Sequence, residues 1–329
     1  MVGSISDTLL PLADGETKEH FLDDLCQVVF NPNVLAKRVN QNAGDDLVST
    51  SACNYYDNVT QREVEAFYKA EREADGETDS PISYGLNSTL RKSENGCLYE
   101  DVWREGGKYG NAIKHITYWL LKAADVTEND MQRSIIHMLV DYYRTGDLHT
   151  FDEYSIEWLK EQQGRVDFIN GFIEVYGDPL GIKASWEGIV TYKDLAATHR
   201  TQSLSTNAQW FEDHSPVDPR FRKHEVVGVT ANVVCSAMLG GDEYPSTAIG
   251  INLPNADWIR ARYGSKSITI GNLTHAYNMA ARGNGFLEEF VCDETMLSVI
   301  REYGDVCDDL HTDLHECLGH GSGQLLPGV

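Results

Sequence analysis

HTDLHECLGHGSG, residues 311–323, is the stretch that says most about the fold of this chain. Its histidines His315 and His320 are five residues apart, whereas a regular helix that offers two imidazoles to one metal usually spaces them by four. In a regular α-helix a spacing of five would splay the two rings by roughly 140°. Both rings can reach one ion only if the helix widens into a π-bulge, and Gly319 relaxes the backbone at that point. The spacing therefore predicts a π-bulge and a metal site.

The residue types in this stretch indicate zinc chemistry. Neutral imidazole is a good zinc ligand, and a site with two histidines and one carboxylate keeps a fourth position for water, whose pKa zinc lowers. Glu316 directly follows the first histidine, so it would face that water, accept its proton and later give it to the leaving amine. A rival pair, His311 and His315, has the regular spacing of four but lacks a glutamate after its first member, so we rank it lower.

Upstream of this helix, hydrophobic periodicity predicts a mixture of helices and strands. Helices are predicted over 112–124, 130–143 and 152–163, the last with Asp152 as a possible N-cap. Strands are predicted over 172–176, 188–192, 225–238, 246–253 and 265–270. Asp293 would cap a further helix that Gly304 ends, before a last helix over 305–320. Because no regular βαβ alternation is present, we expect an α+β fold.

Composition excludes several classes of protein. The 329 residues favour two domains, and the net charge of -24 speaks against nucleic-acid binding, which needs clustered Lys and Arg. The acidic surplus either keeps the chain soluble or steers cationic peptides to it. Seven cysteines without a C-x-x-C pair favour a reducing compartment, so we expect a cytoplasmic protein. The sequence has no 18-residue apolar run and no signal-peptide pattern at its start, so we expect no membrane span.

Several stretches together resemble one known family. HECLGH followed by GSG is similar to the H-E-x-x-G-H zinc signature of the dipeptidyl peptidase III family. GDEYPSTAIGINLPNADWIR (Gly241 to Arg260) resembles the substrate-binding segment of that family, and GFIEVYGDPLG (Gly171 to Gly181) resembles a second segment. SYGLNS (Ser83 to Ser88) is similar to bacterial members. The resemblance therefore extends from about the first quarter of the chain to its end.

The resemblance implies two lobes around a wide cleft. One lobe would be mostly helical and carry the zinc, and the other would contain a β-barrel plus helices and bind substrate. On this chain path, residues 1–187 and 236–281 would form the substrate-binding lobe, and residues 188–235 and 282–329 the helical zinc lobe. The implied activity is that of a cytosolic, zinc-dependent exopeptidase that releases dipeptides from the free N-terminus of short peptides. We favour a monomer.

The resemblance also assigns roles to residues. His315 and His320 would bind one zinc ion per chain, and Glu316 would be the catalytic base. Asn252 and Asn255 would hold the N-terminal part of the peptide, since an amide offers both a donor and an acceptor to a peptide bond. Asp167 would lie near the free amine of the substrate.

The third zinc ligand of the family is a glutamate on a later helix, and we expect it beyond the end of this chain. The chain would then be a fragment, inactive by itself. Two alternatives stay open. The chain could be a catalytically inactive metal-binding or peptide-binding module, or it could belong to a zinc hydrolase that acts on other amides. The similarity of the segment around Asn252 to a peptide-backbone clamp speaks against the last alternative.

Overall fold

A computed structural model describes residues 15–326 apart from 32–33, 36, 228, 243–246 and 282–284, together with residues 6, 10 and 12. Its α-helices, in chain order, are α1 Lys18–Phe30, α2 Gln61–Asp75, α3 Gly110–Ala124, α4 Asp130–Thr145, α5 Leu148–Lys160, α6 Leu195–Thr206, α7 Ala208–His214, α8 Asp257–Tyr263, α9 Gly271–Ala281, α10 Phe286–Phe290 and α11 Glu294–Leu314. A 3-10 helix covers Pro219–Phe221, and a π-helix covers His315–His320.

The described strands form two sheets. The strands are β1 Tyr56–Asp57, β2 Ser88–Lys92, β3 Leu98–Val102, β4 Val166–Glu174, β5 Ser185–Lys193, β6 Val229–Gly241, β7 Gly250–Leu253 and β8 Ser265–Ile270. The smaller sheet has the order β1-β2-β3, and the larger one has the order β4-β5-β6-β8-β7. All neighbours in the larger sheet are antiparallel except β6 and β8, which are parallel. The predicted α+β class is confirmed, and the described strands of the larger sheet stay open instead of closing into the expected barrel.

The helix α4 shows why the sequence pattern succeeds where local signals agree. Asn129 caps it by accepting a hydrogen bond from the backbone N–H of Gln132 at 2.9 Å. Gly146 ends it with a left-handed φ of 75°, a conformation that glycine adopts without strain. The helix lies close to the predicted range of 130–143 and buries the predicted apolar face, including Leu139.

The predicted start of α5 is wrong. The cap is Asp147, whose carboxylate accepts from the N–H of Thr150 at 3.0 Å, and not Asp152. Asp152 lies inside the helix with its side chain buried. Both aspartates are good capping residues by type, and Asp147 starts the helix because it directly follows the glycine that ends α4.

The main hydrophobic core lies between the layer of α3, α4 and α5 and the larger sheet. It joins apolar side chains from both sides, among them Ile135, Leu139, Ile169, Ile189 and Ile268. A second, smaller cluster lies under α2, around Tyr68 and Leu90. This packing leaves β7 and β8 at one edge of the sheet, beside the π-helix.

The lobe division stays a prediction. Its borders after 187 and 235 lie inside β5 and β6, which are paired neighbours in the larger sheet. Residues 243–246, which belong to the segment that resembles the family's substrate-binding stretch, lie outside the described residues. In the part of the chain that the structure describes, none of the helices has the length and apolar character that a membrane crossing requires.

Candidate active site

The helix that carries the motif begins at a capped N-terminus and is longer than predicted. Asp293 accepts from the N–H of Met296 at 2.8 Å, as the sequence suggests. Gly304 does not end the helix as predicted, and α11 continues without a break to Leu314. The expected pair of helices is therefore one helix, in which the glycine costs some stability without breaking the hydrogen-bonded ladder.

The end of this helix widens as the spacing predicts. Residues His315–His320 form a π-helix, which brings the two histidines onto one side. Their ring centroids are 4.7 Å apart with an interplanar angle of 84°. One ligand atom from each of His315, Glu316 and His320 lies within 4.8 Å of the others. The alternative partner His311 is not part of this group.

The donor set fits a zinc ion. Both imidazoles are exposed, so an ion can reach them from solution. Partial burial, together with the neighbouring His315 and Arg260, lowers the pKa of His320 and so favours the neutral imidazole that binds metal. The carboxylate of Glu316 is buried, and its Oε2 atom accepts no hydrogen bond from a described residue. A buried carboxylate oxygen without a hydrogen-bond partner destabilises the folded protein unless a ligand or a water molecule binds to it.

The electrostatic surroundings of Glu316 suit a proton acceptor. Burial raises the pKa of Glu316 to about 7, and the positive charge of Arg260 opposes that rise. A general base is most effective when its pKa lies near the working pH. The environment therefore places this carboxyl group in the range where it can both accept and return a proton.

The edge of the larger sheet holds the π-helix from one side. The backbone oxygen of Glu316 accepts from Asn252 Nδ2 at 3.1 Å and from Ser267 Oγ at 2.8 Å. Gly250 lies against the same residue so closely that a Cβ atom there would be 2.4 Å from Glu316 Oε1. Only glycine fits at this position without a shift of the glutamate. The positions of β7 and β8 thus decide where the Glu316 carboxylate points.

A cleft opens beside the π-helix. It has a volume of about 420 Å³, and Glu316 and His320 form part of its wall. The remaining wall is strongly charged: it includes Glu174, Glu187, Asp242, Tyr176 and Arg260. None of these five residues was singled out from the sequence, although Asp242 and Arg260 lie in the stretch that resembles the family's substrate-binding segment. Glu174 and Tyr176 lie in GFIEVYGDPLG, so the resemblance of that segment pointed to them although no single residue stood out.

The two predicted asparagines both line this cleft. Asn252 is buried, and its Nδ2 also donates to Ser265 and Ser267, at 3.0 and 2.8 Å. Its Oδ1 atom accepts no hydrogen bond from a described residue. Asn255 donates to Glu174 Oε1 at 3.2 Å and accepts from Arg260 at 3.2 Å.

Asp167 is the predicted residue that the structure does not bring to the others. It is absent from the described wall of the cleft. Its Oδ2 atom forms an ion pair with Lys266 Nζ at 2.9 Å, and its Oδ1 atom accepts from Trp158 Nε1 at 3.0 Å. Lys266 is almost fully buried, so this pair satisfies a lysine inside the protein. The length of β4 explains the displacement, because the strand spans both Asp167 and Glu174 and only its far end reaches the cleft.

Comparison with known proteins gives a consistent answer. A family model described as Peptidase family M49 matches residues 83–328. Dipeptidyl peptidase 3 of Mus musculus is 28% identical over 268 residues, which cover 81% of this chain and 35% of the relative. Dipeptidyl peptidase 3 of Homo sapiens is 28% identical over 220 residues, which cover 67% of this chain and 29% of the relative.

A solved structure is similar in fold. Dipeptidyl-peptidase III from Corallococcus sp. strain EGB superposes with a TM-score of 0.68 at 22% identity, over 82% of this chain and 48% of that protein. The coverages of the mouse and human proteins mean that the chain spans about a third of the length of the curated relatives it matches. The motif, the cleft and the family match point the same way, and the chain belongs to peptidase family M49.

Proposed function

We propose that this chain is part of a zinc-dependent dipeptidyl peptidase that acts on short peptides with a free N-terminus. The observation that carries the proposal is the π-helix, which gathers His315, Glu316 and His320 into one group and places Glu316 and His320 in the wall of a cleft. The relatives that bear the name dipeptidyl peptidase support the same substrate class.

The chain's own residues would divide the work. His315 and His320 would hold one zinc ion, which when bound supplies a Lewis acid and lowers the pKa of water. Glu316 would take a proton from the attacking water and give it to the leaving amine. The carboxyl group is buried beside the cleft with its pKa near neutrality, so it can exchange a proton in either direction.

The cleft offers groups that match the N-terminal part of a peptide. Asn252 Oδ1 is a buried acceptor without a described partner, so a peptide N–H would satisfy it. Glu174 lies beside Asn255 and would attract the free ammonium group of the substrate, a task that the family resemblance assigned to Asp167. A carboxylate at a set distance from the scissile bond would explain why two residues are removed at a time.

A third protein ligand is also part of the proposal. Among the described residues the group at the π-helix contains two imidazoles and Glu316, and zinc sites of catalytic type use three protein ligands. We propose a further carboxylate from residues outside those described, and little activity of the present chain without it. The protein would act in the cytoplasm as a monomer.

A second candidate is a metal-binding or peptide-binding module without catalysis, which the two-histidine group would also suit. Zinc content and hydrolysis of dipeptidyl arylamides, measured on this chain and on the full-length protein, separate the two. Stoichiometric zinc with activity at full length supports the peptidase. Zinc without activity at full length favours the module.

The role of Glu316 has its own test. Glu316→Gln removes the base and keeps the shape, so we expect the hydrolysis rate of the full-length protein to fall by about 10²–10⁴-fold with zinc retained.

Equal cleavage of peptides with blocked and free N-termini would refute the exopeptidase proposal. In that case the activity would be that of an endopeptidase.

A further inference from the structure

The chain that leaves the π-helix is tied to a distant part of the sequence. Gly321 directly follows His320, and the next residues lie against the segment from α7 to Lys223. The backbone N–H of Gln324 donates to the oxygen of Phe221 at 2.8 Å. Glycines at 319, 321 and 323 give this exit little conformational preference of its own. Tertiary contacts therefore have to hold it.

Glu212 of α7 supplies the strongest of these contacts. Its side chain is 1% exposed. Both carboxylate oxygens accept from the backbone N–H of Gly323, at 3.1 and 3.0 Å, and Oε1 also accepts from the N–H of Lys223 at 2.8 Å. A buried carboxylate is costly unless it is hydrogen-bonded, and two backbone donors from distant parts of the sequence share this one.

Lys223 closes the arrangement from the other side. Its Nζ atom donates to the backbone oxygen of Gly321 at 3.1 Å. Glu212 and Lys223, which we call the exit clamp, thus hold an N–H and a C=O within three residues of His320. Because a π-helix is a less stable conformation than an α-helix, its last turn depends on such anchors.

We propose that Glu212 is a positioning residue of the metal site, which orients His320 by fixing the exit of the π-helix. The proposal rests on the zinc function proposed above. Groups that orient metal ligands without touching the ion typically contribute about 10- to 100-fold to metal affinity. Nothing in the sequence motif points to Glu212, which lies 108 residues before His320 in a short helix.

The test is the zinc dissociation constant of the full-length protein, measured by competition with a chelator. Glu212→Gln keeps the size of the side chain but turns an amide NH2 toward a backbone N–H, so we expect zinc binding to weaken by about 10- to 100-fold. Asp213→Asn is the matched control, since it changes the next residue of the same helix, whose side chain is exposed. We expect no change in its zinc affinity.

A second readout separates positioning from general stability. With Co²⁺ in place of zinc, the absorption spectrum reports ligand geometry, and we expect Glu212→Gln to change it at a temperature where both proteins are fully folded. If Glu212→Gln does not fold, the zinc affinity of Lys223→Met tests the proposal instead. This substitution removes the bond to Gly321 and keeps the backbone N–H on Glu212, so zinc should bind about fivefold more weakly, the equivalent of one hydrogen bond.

The outcomes distinguish the two proposals. The positioning proposal is refuted if Glu212→Gln binds zinc as tightly as wild type and has the same cobalt spectrum. Where Glu212→Gln does not fold, the same result in Lys223→Met refutes it. Either result leaves the proposed zinc function standing. If His320→Ala binds zinc as tightly as wild type, the proposed zinc function is refuted, and the positioning proposal that rests on it is refuted as well. Weaker zinc binding in the clamp variants and in His320→Ala, with Asp213→Asn unchanged, supports both.

Discussion

The helices α4 and α11 have similar apolar periodicity but differ in what covers their apolar faces. α4 buries its stripe in the main core, with Leu139 and Tyr143 fully inaccessible to solvent. On α11 the only apolar side chain that is buried within the described chain is Leu297, while Val306 and Leu310 are 65% and 49% exposed. Periodicity predicts a helix with one apolar face, and it does not say whether anything packs on that face.

The two helices are accordingly held by different forces. α4 is stabilised by apolar burial along its length. α11 is anchored by polar contacts at and just beyond its C-terminal end. Thr269 Oγ1 of β8 donates to Asp313 Oδ1 at 2.7 Å, and Asn252 of β7 and Ser267 of β8 donate to the backbone oxygen of Glu316 in the π-helix that follows. The site thus lies on the helix whose position depends most on individual hydrogen bonds and on one close backbone approach.

The largest expected difference comes from equal deletions in the two helices. Leu139→Ala removes a fully buried side chain from α4 and should lower the free energy of unfolding by about 2–5 kcal/mol. Leu310→Ala on α11 should change it by less than about 0.5 kcal/mol. Urea denaturation followed by circular dichroism measures both. Equal losses would mean that the stripe on α11 is covered in solution, and the comparison would fail.

A buried carboxyl group beside α4 should make that region sensitive to pH. Burial raises the pKa of Asp152 to about 7 from a usual value of 3.8. The folded chain therefore keeps a proton that the unfolded chain releases, so stability falls as pH rises from about 4 to about 7. Since one pKa unit is worth about 1.4 kcal/mol, the upper limit of the loss is about 4 kcal/mol.

Asp152→Asn should flatten this dependence, because an amide does not titrate. The measurement is the free energy of unfolding at pH 5 and pH 8, with Asp141→Asn, on the exposed side of α4, as the control. If the Asp152→Asn variant retained the full wild-type slope, other groups would be the cause of the pH dependence.

Around α11 the sharpest steric contrast is between two glycines. Gly250→Ala places a Cβ at 2.4 Å from Glu316 Oε1, and overpacking of this kind costs about 1–3 kcal/mol and should displace the Glu316 carboxylate. Gly304→Ala lies inside α11 with its nearest neighbour, Ile300 Cγ2, at 3.6 Å, so it should stabilise by about 0.5–1 kcal/mol.

Thermal unfolding and hydrolysis by the full-length protein measure both substitutions. We expect Gly250→Ala to lose activity as well as stability, and Gly304→Ala to keep its activity. Full activity in Gly250→Ala would contradict the prediction, because it would mean that hydrolysis does not depend on the position of the Glu316 carboxylate.

The smallest expected effect isolates one hydrogen bond to the π-helix. Ser267→Ala removes the O–H that donates to the Glu316 oxygen and should cost about 0.5–1.5 kcal/mol. Ser265→Ala is the matched control, because both serines accept from Asn252 and only Ser267 also reaches Glu316. Equal losses in the two variants would assign the effect to Asn252 alone.

Sequence patterns predicted most of the fold where local signals agree with burial. The strand 265–270 and the helix α4 were located within two residues, because caps, glycines and apolar periodicity all point the same way. The errors in the helices fall where two local signals compete, and the strands predicted over 172–176, 225–238 and 246–253 overlap β4, β6 and β7 only in part. Asp147 and Asp152 are both possible caps, and Gly304 is tolerated inside a helix that its other residues extend.

The sequence by itself determined which residues form the candidate metal site. The spacing of His315 and His320, with Glu316 between them, requires a widened helix for joint metal binding, since the geometry of a regular helix excludes it. Only the tertiary structure decided which other groups meet this helix. Glu174 beside Asn255, the glycine at 250 and the clamp of Glu212 come from strands and helices far away in the chain. The physical reason is that helical pitch is a local property, whereas the wall of a cleft depends on how sheets and helices pack over long sequence distances.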